Sequence, residues 1–180
     1  MLGLPKGKVF LTAWTAEWEK EFIWEKTQIE NEFGEIILAV HHIGSTAVKN
    51  LSAKPIIDIG IELKEFQHGS KCVNGLEKLG YAYGGTNILP NRHYFSKGEP
   101  RTHQIHMFQT GSLYLEKQLA FRDYLLENNA ALNEYQELKV KLSQKHQTDK
   151  LLYADEKTEF INSILDSLGF ELRVTKNFKN

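Results

Sequence analysis

The chain carries a single cysteine, Cys72, in 180 residues. No intrachain disulfide can form, and no zinc or iron–sulfur centre built on several cysteines is available. No segment reaches the ~20 apolar residues that a membrane span needs. The opening MLGLPKGKVFLTAW has no apolar run of signal-peptide length. Excess charge of either sign is also missing. Lys and Arg number 22 against 23 Asp and Glu, a net of −1, so no global basic field points to nucleic acid. Repeats and low-complexity tracts are absent. These absences lead to the expectation of a reduced, cytoplasmic protein with no membrane and no nucleic-acid partner. What is present, 41% hydrophobic and 25% charged residues, suits one ordinary domain with a full core.

Hydropathy patterning divides the chain. Val9–Thr12 predicts a short first strand, and Trp18, Phe22, Ile29 and Phe33 recur at helical spacing until Gly34. Glu35–His42 and Ile56–Leu63 predict strands, separated by Gly44-Ser45-Thr46 and a short helical turn through about Leu51. Ser70–Leu79 predicts a helix; Tyr81–Tyr83, Arg92–Ser96 and Arg101–Phe108 predict antiparallel strands. After Gly111 three helical stretches follow, Ser112–Asn128, Ala130–His146 and Thr148–Leu168, with Lys176–Asn180 expected to fray. The expected class is α+β: a mixed sheet flanked by helices over residues 1–111, and a helical C-terminal third over residues 112–180 packed on it.

The Gly44-Ser45 corner joins a strand to a helical turn, where backbone N–H groups can face an anion and glycine permits close approach. The dipeptide by itself also fits a plain strand–helix turn. Along the next strand, alternation sets Asp58, Gly60 and Glu62 on one face and Ile57, Ile59 and Ile61 on the other. A carboxylate inside an apolar run requires a partner. Two readings stand: Asp58 is tied to a backbone turn or to Lys54, or it holds a metal.

A hydrophobic–Gly–Ser followed, after Thr46–Ile57, by an aspartate on a strand resembles the polymerase-beta-type nucleotidyltransferase signature. That resemblance implies two carboxylates one residue apart holding Mg²⁺ on a triphosphate; here Asp58 fits the first and Gly60 stands at the second. A fuller match covers about Trp14 to Ile161. The blocks HIGSTAV (His42–Val48), AKPIID (Ala53–Asp58), HQIH (His103–His106) and LAFRDYL (Leu119–Leu125) resemble the GrpB family. So do Tyr135…Leu138-Lys139 and Asp149…Tyr153…Lys157…Phe160-Ile161. The family usually has Pro-Gly where this chain has Lys49-Asn50, so a differently shaped loop is expected there. The resemblance implies a nucleotidyltransferase-like fold, and some relatives are fused to dephospho-CoA kinase. It names no substrate.

The resemblance also sets His106 near the superfamily's third acidic ligand. Asp58, His106 and His42 are therefore candidate ligands of a divalent metal (Mg²⁺ or Mn²⁺), with Asp58 and His106 as candidate catalytic groups. The alternative is a pair of structural histidines satisfied by backbone. Helical-wheel positions put Arg122, Lys139 and Lys157 inside the apolar stripes of the three C-terminal helices. Either they form a cationic wall for a polyphosphate, with Gly44, Ser45, Lys54 and Arg92 beside it, or their heads snorkel or pair with aspartates. Trp14, Trp18 and Trp24 read as packing residues. The expected partner is a nucleotide or phosphorylated small molecule, with no organic cofactor. The expected activity is metal-dependent nucleotidyl transfer to an unknown acceptor, and the alternative is a non-catalytic binding module, linked by that fusion to CoA metabolism.

Overall fold

Thr15 opens helix α1 (Ala16–Phe33) by accepting a hydrogen bond from the Glu17 N–H, and Gly34 at φ 38° closes it. The structure, a computed structural model, describes residues 2–87 and 91–170. Strands β1 (Ile37–Ile43), β2 (Ile57–Leu63), β3 (Tyr81–Gly85), β4 (His93–Lys97) and β5 (His103–Gln109) form one sheet in the order β1-β2-β5-β4-β3. Only β2 and β5 run parallel; the other neighbours are antiparallel. Short helices α2 (His68–Lys71) and α3 (Val73–Lys78) precede β3. Helices α4 (Leu113–Glu127), α5 (Asn129–Lys145), α6 (Lys150–Asp155) and α7 (Thr158–Ser167) make up the C-terminal part. The expected mixed sheet with helices is present.

The two faces of the sheet differ sharply. Ile57, Ile59, Ile61, Ile105 and Met107 are fully buried and pack with Trp18, Ile29 and Phe33 of α1 and Leu76 of α3. Each such aliphatic burial contributes about 1.5–3 kcal/mol. On the other face Leu115 of α4 packs with Ile43 and Phe108. The C-terminal helices close a further cluster around Leu125, Leu132, Tyr135 and Ile164, reaching back to Val48 and Leu51. The end of the second face that carries Asp58 is left to polar side chains.

Several expectations change. Val9–Thr12 is no strand: Thr12 makes one isolated bridge to Ala53, and the Val9 N–H bonds the Gln147 carbonyl. The Ser70–Leu79 helix is two short pieces meeting at Cys72, and the last C-terminal stretch is also two, α6 and α7. The helical turn after Gly44 is a single 3₁₀ turn, Ser45–Ala47, too short to supply a helix dipole. Asn50 takes φ 69°, the backbone region a glycine at that place would supply, so Lys49-Asn50 still meets the demand of the turn. Trp18 is buried, but Trp24 is half exposed, with the Lys97 ammonium 5.4 Å from its ring centre. The expected fraying at Lys176–Asn180 lies outside the described residues. No helix among the described residues is long and apolar enough to cross a membrane.

Candidate functional site: a lysine-walled pocket at Asp58

Register carries Asp58 opposite Ile43 on β1 and Gln104 on β5, and Gly60 opposite His106. Asp58, Gln104 and His106 therefore share the polar face, as alternation required. The Tyr94 hydroxyl donates to Gln104 Oε1 at 2.8 Å, which turns the amide so that Nε2 donates to Asp58 Oδ1 at 3.1 Å. The other carboxylate oxygen lies against Gly44. A Cβ at that glycine would stand 2.7 Å from Asp58 Oδ2, and its φ is 69°. Gly44 thus lets the chain close on the carboxylate.

His106 is oriented from behind. Arg92 donates through Nη1 to His106 Nδ1 at 2.9 Å, and a guanidinium can only donate. The neutral imidazole therefore carries its proton on Nε2, which faces Asp58 Oδ1 at 3.7 Å. This arrangement suits a proton carrier better than a metal ligand, which would have to present a bare Nε2. His42 is set apart from the pair. Its register partner is Ile59 on the core face, its ring stacks on Phe22 at 4.6 Å, and Nε2 bonds Thr46 Oγ1 at 3.0 Å. Burial lowers its pKa to about 4, with the Asp58 charge opposing and Arg122 assisting.

The five cations expected in or beside the wall do not all reach the pocket. Lys54, Lys139 and Lys157 do, lining a pocket of about 140 Å³ with Ser45, Asp58, Gln104 and Tyr153. Lys139 is buried; its ammonium donates to the Ser52 carbonyl and lies 5.3 Å from the Tyr135 ring centre. Lys157 and Lys54 sit 4.5 and 5.5 Å from the ring centre of Tyr153. The Tyr135 hydroxyl shares a hydrogen bond with Ser45. Burial holds Lys139 well below the ordinary lysine range, and Lys157 and Lys54 push it further. Burial and then Lys54 bring Lys157 down to about 8, against the pull of Asp58. Burial likewise lowers Lys54.

Arg122 points elsewhere. It donates to the His42 carbonyl at 2.8 Å and pairs with Asp123, lining a neighbouring cleft with Phe22 and His42. Arg92, just before β4, is buried, 5.4 Å from the Tyr94 ring centre and engaged with His106. Arg122 is displaced because the helix crossing, not wheel position, decides which side of a stripe meets the pocket. Thr46, Gln104 and Tyr153 were polar pocket residues that sequence reasoning missed. Gln104 had a signal, since it alternates onto the face of His106.

The profile described as GrpB protein matches residues 8–167. The chain belongs to the GrpB family. The family member GrpB of Enterococcus faecalis, known from its crystal structure, shares 34% identity at a TM-score of 0.80, over 94% of this chain and 100% of that one. "Glutamate-rich protein GrpB" of Alkalihalophilus pseudofirmus is 32% identical over 93% of this chain and its own full length. UPF0157 protein YqkA of Bacillus subtilis is 38% identical over 88% of this chain but only 47% of that protein, so the chain spans about half of that relative. Beyond the family, the Cid1 poly(U) polymerase in its Mg 3′-dATP complex shares the fold. Its TM-score is 0.52 at 8% identity, over 73% of this chain and 44% of that one. The nucleotidyltransferase-like fold expected from the Gly-Ser…Asp spacing is therefore present in this GrpB chain.

The second carboxylate that the resemblance implied is replaced by Gly60, which is closely packed. A Cβ at Gly60 would meet Leu115 Cδ1 at 2.8 Å and Ile43 Cγ2 at 3.2 Å. Glu62 offers no substitute: its two oxygens bond His41 Nε2 at 2.8 Å and Thr110 Oγ1 at 3.2 Å. Among the described residues Asp58 is the one carboxylate lining the pocket, and that donor set does not fit a two-ion shell.

Proposed function

We propose that this GrpB protein binds the phosphate end of a nucleotide or of another phosphorylated metabolite in the pocket of Lys54, Lys139 and Lys157. The observation that carries the reading is three lysine amines converging around a single carboxylate. Buried ammonium groups that depress one another's pKa are stabilised by an anion, and a phosphoryl group brings more than one charge. At about 140 Å³ the pocket holds a phosphate group, not a nucleoside. The rest of the ligand extends outward. Ser45 and Gln104 add neutral hydrogen-bonding partners. The fold shared with the Cid1 polymerase, a protein described with nucleotides bound, agrees with this ligand class.

Metal-dependent nucleotidyl transfer to an unknown acceptor is the second reading. It is favoured by the Arg92–His106–Asp58 array, which sets a proton carrier beside the pocket. Titration calorimetry with ATP, CoA precursors and inorganic phosphate, with and without Mg²⁺ or Mn²⁺, separates the two. Simple binding predicts metal-independent affinity that tightens in Asp58→Asn, because a like charge is removed. Transfer predicts affinity that needs the metal and is lost in Asp58→Asn. No binding of any phosphate compound, with wild-type folding verified, refutes both.

A further inference from the structure

On the opposite face of the sheet, α1 brings a second group of ionisable side chains against β5. Glu21 and Glu25 stand four residues apart, so both project from one side of the helix. His103 faces them: its Nε2 lies 3.3 Å from Glu21 Oε1 and 3.9 Å from Glu25 Oε1. Glu25 is fully buried, and His103 is 3% exposed. In the sequence Glu25 occupies a gap in the apolar stripe of Trp18, Phe22 and Ile29, which leaves a charge where packing calls for a hydrocarbon.

The protons of this group can be assigned. Thr102 Oγ1 donates to the Lys97 carbonyl at 3.2 Å, so it can only accept from His103 Nδ1 at 2.8 Å. That hydrogen bond fixes the neutral imidazole with its proton on Nδ1. The Nε2 lone pair then aims at two carboxylate oxygens, and this buried atom has no hydrogen-bond partner. A lone pair facing carboxylate oxygens is repulsive unless a proton or a metal ion lies between them. One cation is nearby: the Lys97 ammonium bonds Glu25 Oε1, while Tyr81 donates to Glu25 Oε2 at 2.9 Å. Lys97 gives one positive charge against two carboxylates, and its ammonium makes no hydrogen bond to Nε2. Its side chain is 24% exposed and can withdraw toward solvent.

We infer that Glu21, Glu25 and His103 form a site for a divalent transition metal, separate from the Asp58 pocket. One donor atom from each of the three lies within 4.8 Å of the others. A tetrahedral ion with ligands at about 2.1 Å has edges of about 3.4 Å, close to the two histidine–carboxylate separations. Two carboxylates and an imidazole suit Zn²⁺ or Mn²⁺ better than Mg²⁺. The Thr102 hydroxyl is the outer partner that orients the imidazole. A cation here would tie α1 to the sheet beneath the polar face.

The test uses the full chain stripped with EDTA, titrated with Zn²⁺ by calorimetry in phosphate-free buffer, with folding checked by circular dichroism. About one equivalent is expected to bind. Glu21→Gln is a mild change, because this side chain is 39% exposed, and it is expected to weaken binding about tenfold or more. Thr102→Val is expected to weaken it about tenfold through loss of ring orientation, and Asp58→Asn to leave it unchanged. Absent Zn²⁺ binding, binding that survives Glu21→Gln intact, or binding that disappears in Asp58→Asn overturns the inference.

Discussion

Gly60→Ala perturbs the point where helix α4 meets the sheet, and the magnitude can be worked from the contacts. The added methyl would lie 2.8 Å from Leu115 Cδ1 and 3.2 Å from Ile43 Cγ2. Leu115 can swing its end away, but its neighbours Phe108 and Ile43 are themselves buried, and the β-branched Ile43 cannot yield. Overpacking of this kind costs about 1–3 kcal/mol. Removing a strand glycine returns about 0.5–1 kcal/mol of that. The net loss of about 1–2 kcal/mol lowers Tm by about 2–8 °C in a chain of this length. Gly60→Asp, which installs the carboxylate that the wider superfamily carries, adds the desolvation of a charge and is expected to be several kcal/mol worse. The assay is urea unfolding of Gly60→Ala, Leu115→Ala and the double variant. Leu115→Ala alone opens a cavity, at about 2–5 kcal/mol. In the double variant the methyl fills part of it, so the coupling should be favourable by about 1 kcal/mol. Additive losses, or a Gly60→Asp chain as stable as wild type, would refute the claim that Leu115 closes this position.

Acid should unmask His42. Its folded pKa of about 4 lies below the unfolded value of 6.5, so the unfolded chain takes up the proton first; stability is intact above pH 6.5 and falls as pH drops toward 4, by about 3 kcal/mol in all. Urea midpoints between pH 7 and 4 should show this slope, and His42→Gln should remove most of it. Lys157 acts in the alkaline range: its folded pKa of about 8 lies below the ordinary 10.5, so stability should rise between pH 8 and 10.5, and Lys157→Met should flatten that rise. Phosphate binding would restore the charge, so calorimetry near pH 8.5 in buffers of different ionisation enthalpy should report proton uptake in wild type and little in Lys157→Met.

The strands that build the site were legible because their periodicity is strict. Ile57–Leu63 alternates apolar and polar without a break, which placed Asp58 on the polar face before any contact was known. The inward lysines were legible for a related reason, since Lys139 and Lys157 interrupt apolar stripes. The short elements were not: one isolated bridge at Thr12 and a 3₁₀ turn at Ser45–Ala47 leave too few residues for a period to register. Arg122 and Lys139 look alike on helical wheels, yet one reaches the carbonyl of His42 and the other the carbonyl of Ser52.

Composition and local pattern by themselves determined that this is a mixed α+β chain, that a glycine and a serine precede an aspartate on a buried strand, and that cations sit on faces that pack inward. Those are consequences of covalent spacing: a period of two in strands, about 3.6 in helices, and the backbone freedom of glycine. Tertiary structure alone decided which charges meet. The parallel pairing of β2 with β5 brought Gln104 and His106 to Asp58, and the crossing of α4 pressed Leu115 onto Gly60. The packing of α1 buried Glu25 against His103. Electrostatic partners lie 46 residues apart between Asp58 and Gln104 and 72 apart between Glu25 and Lys97. No local pattern encodes an interaction at that separation, because it depends on register and helix orientation that only the packed core fixes.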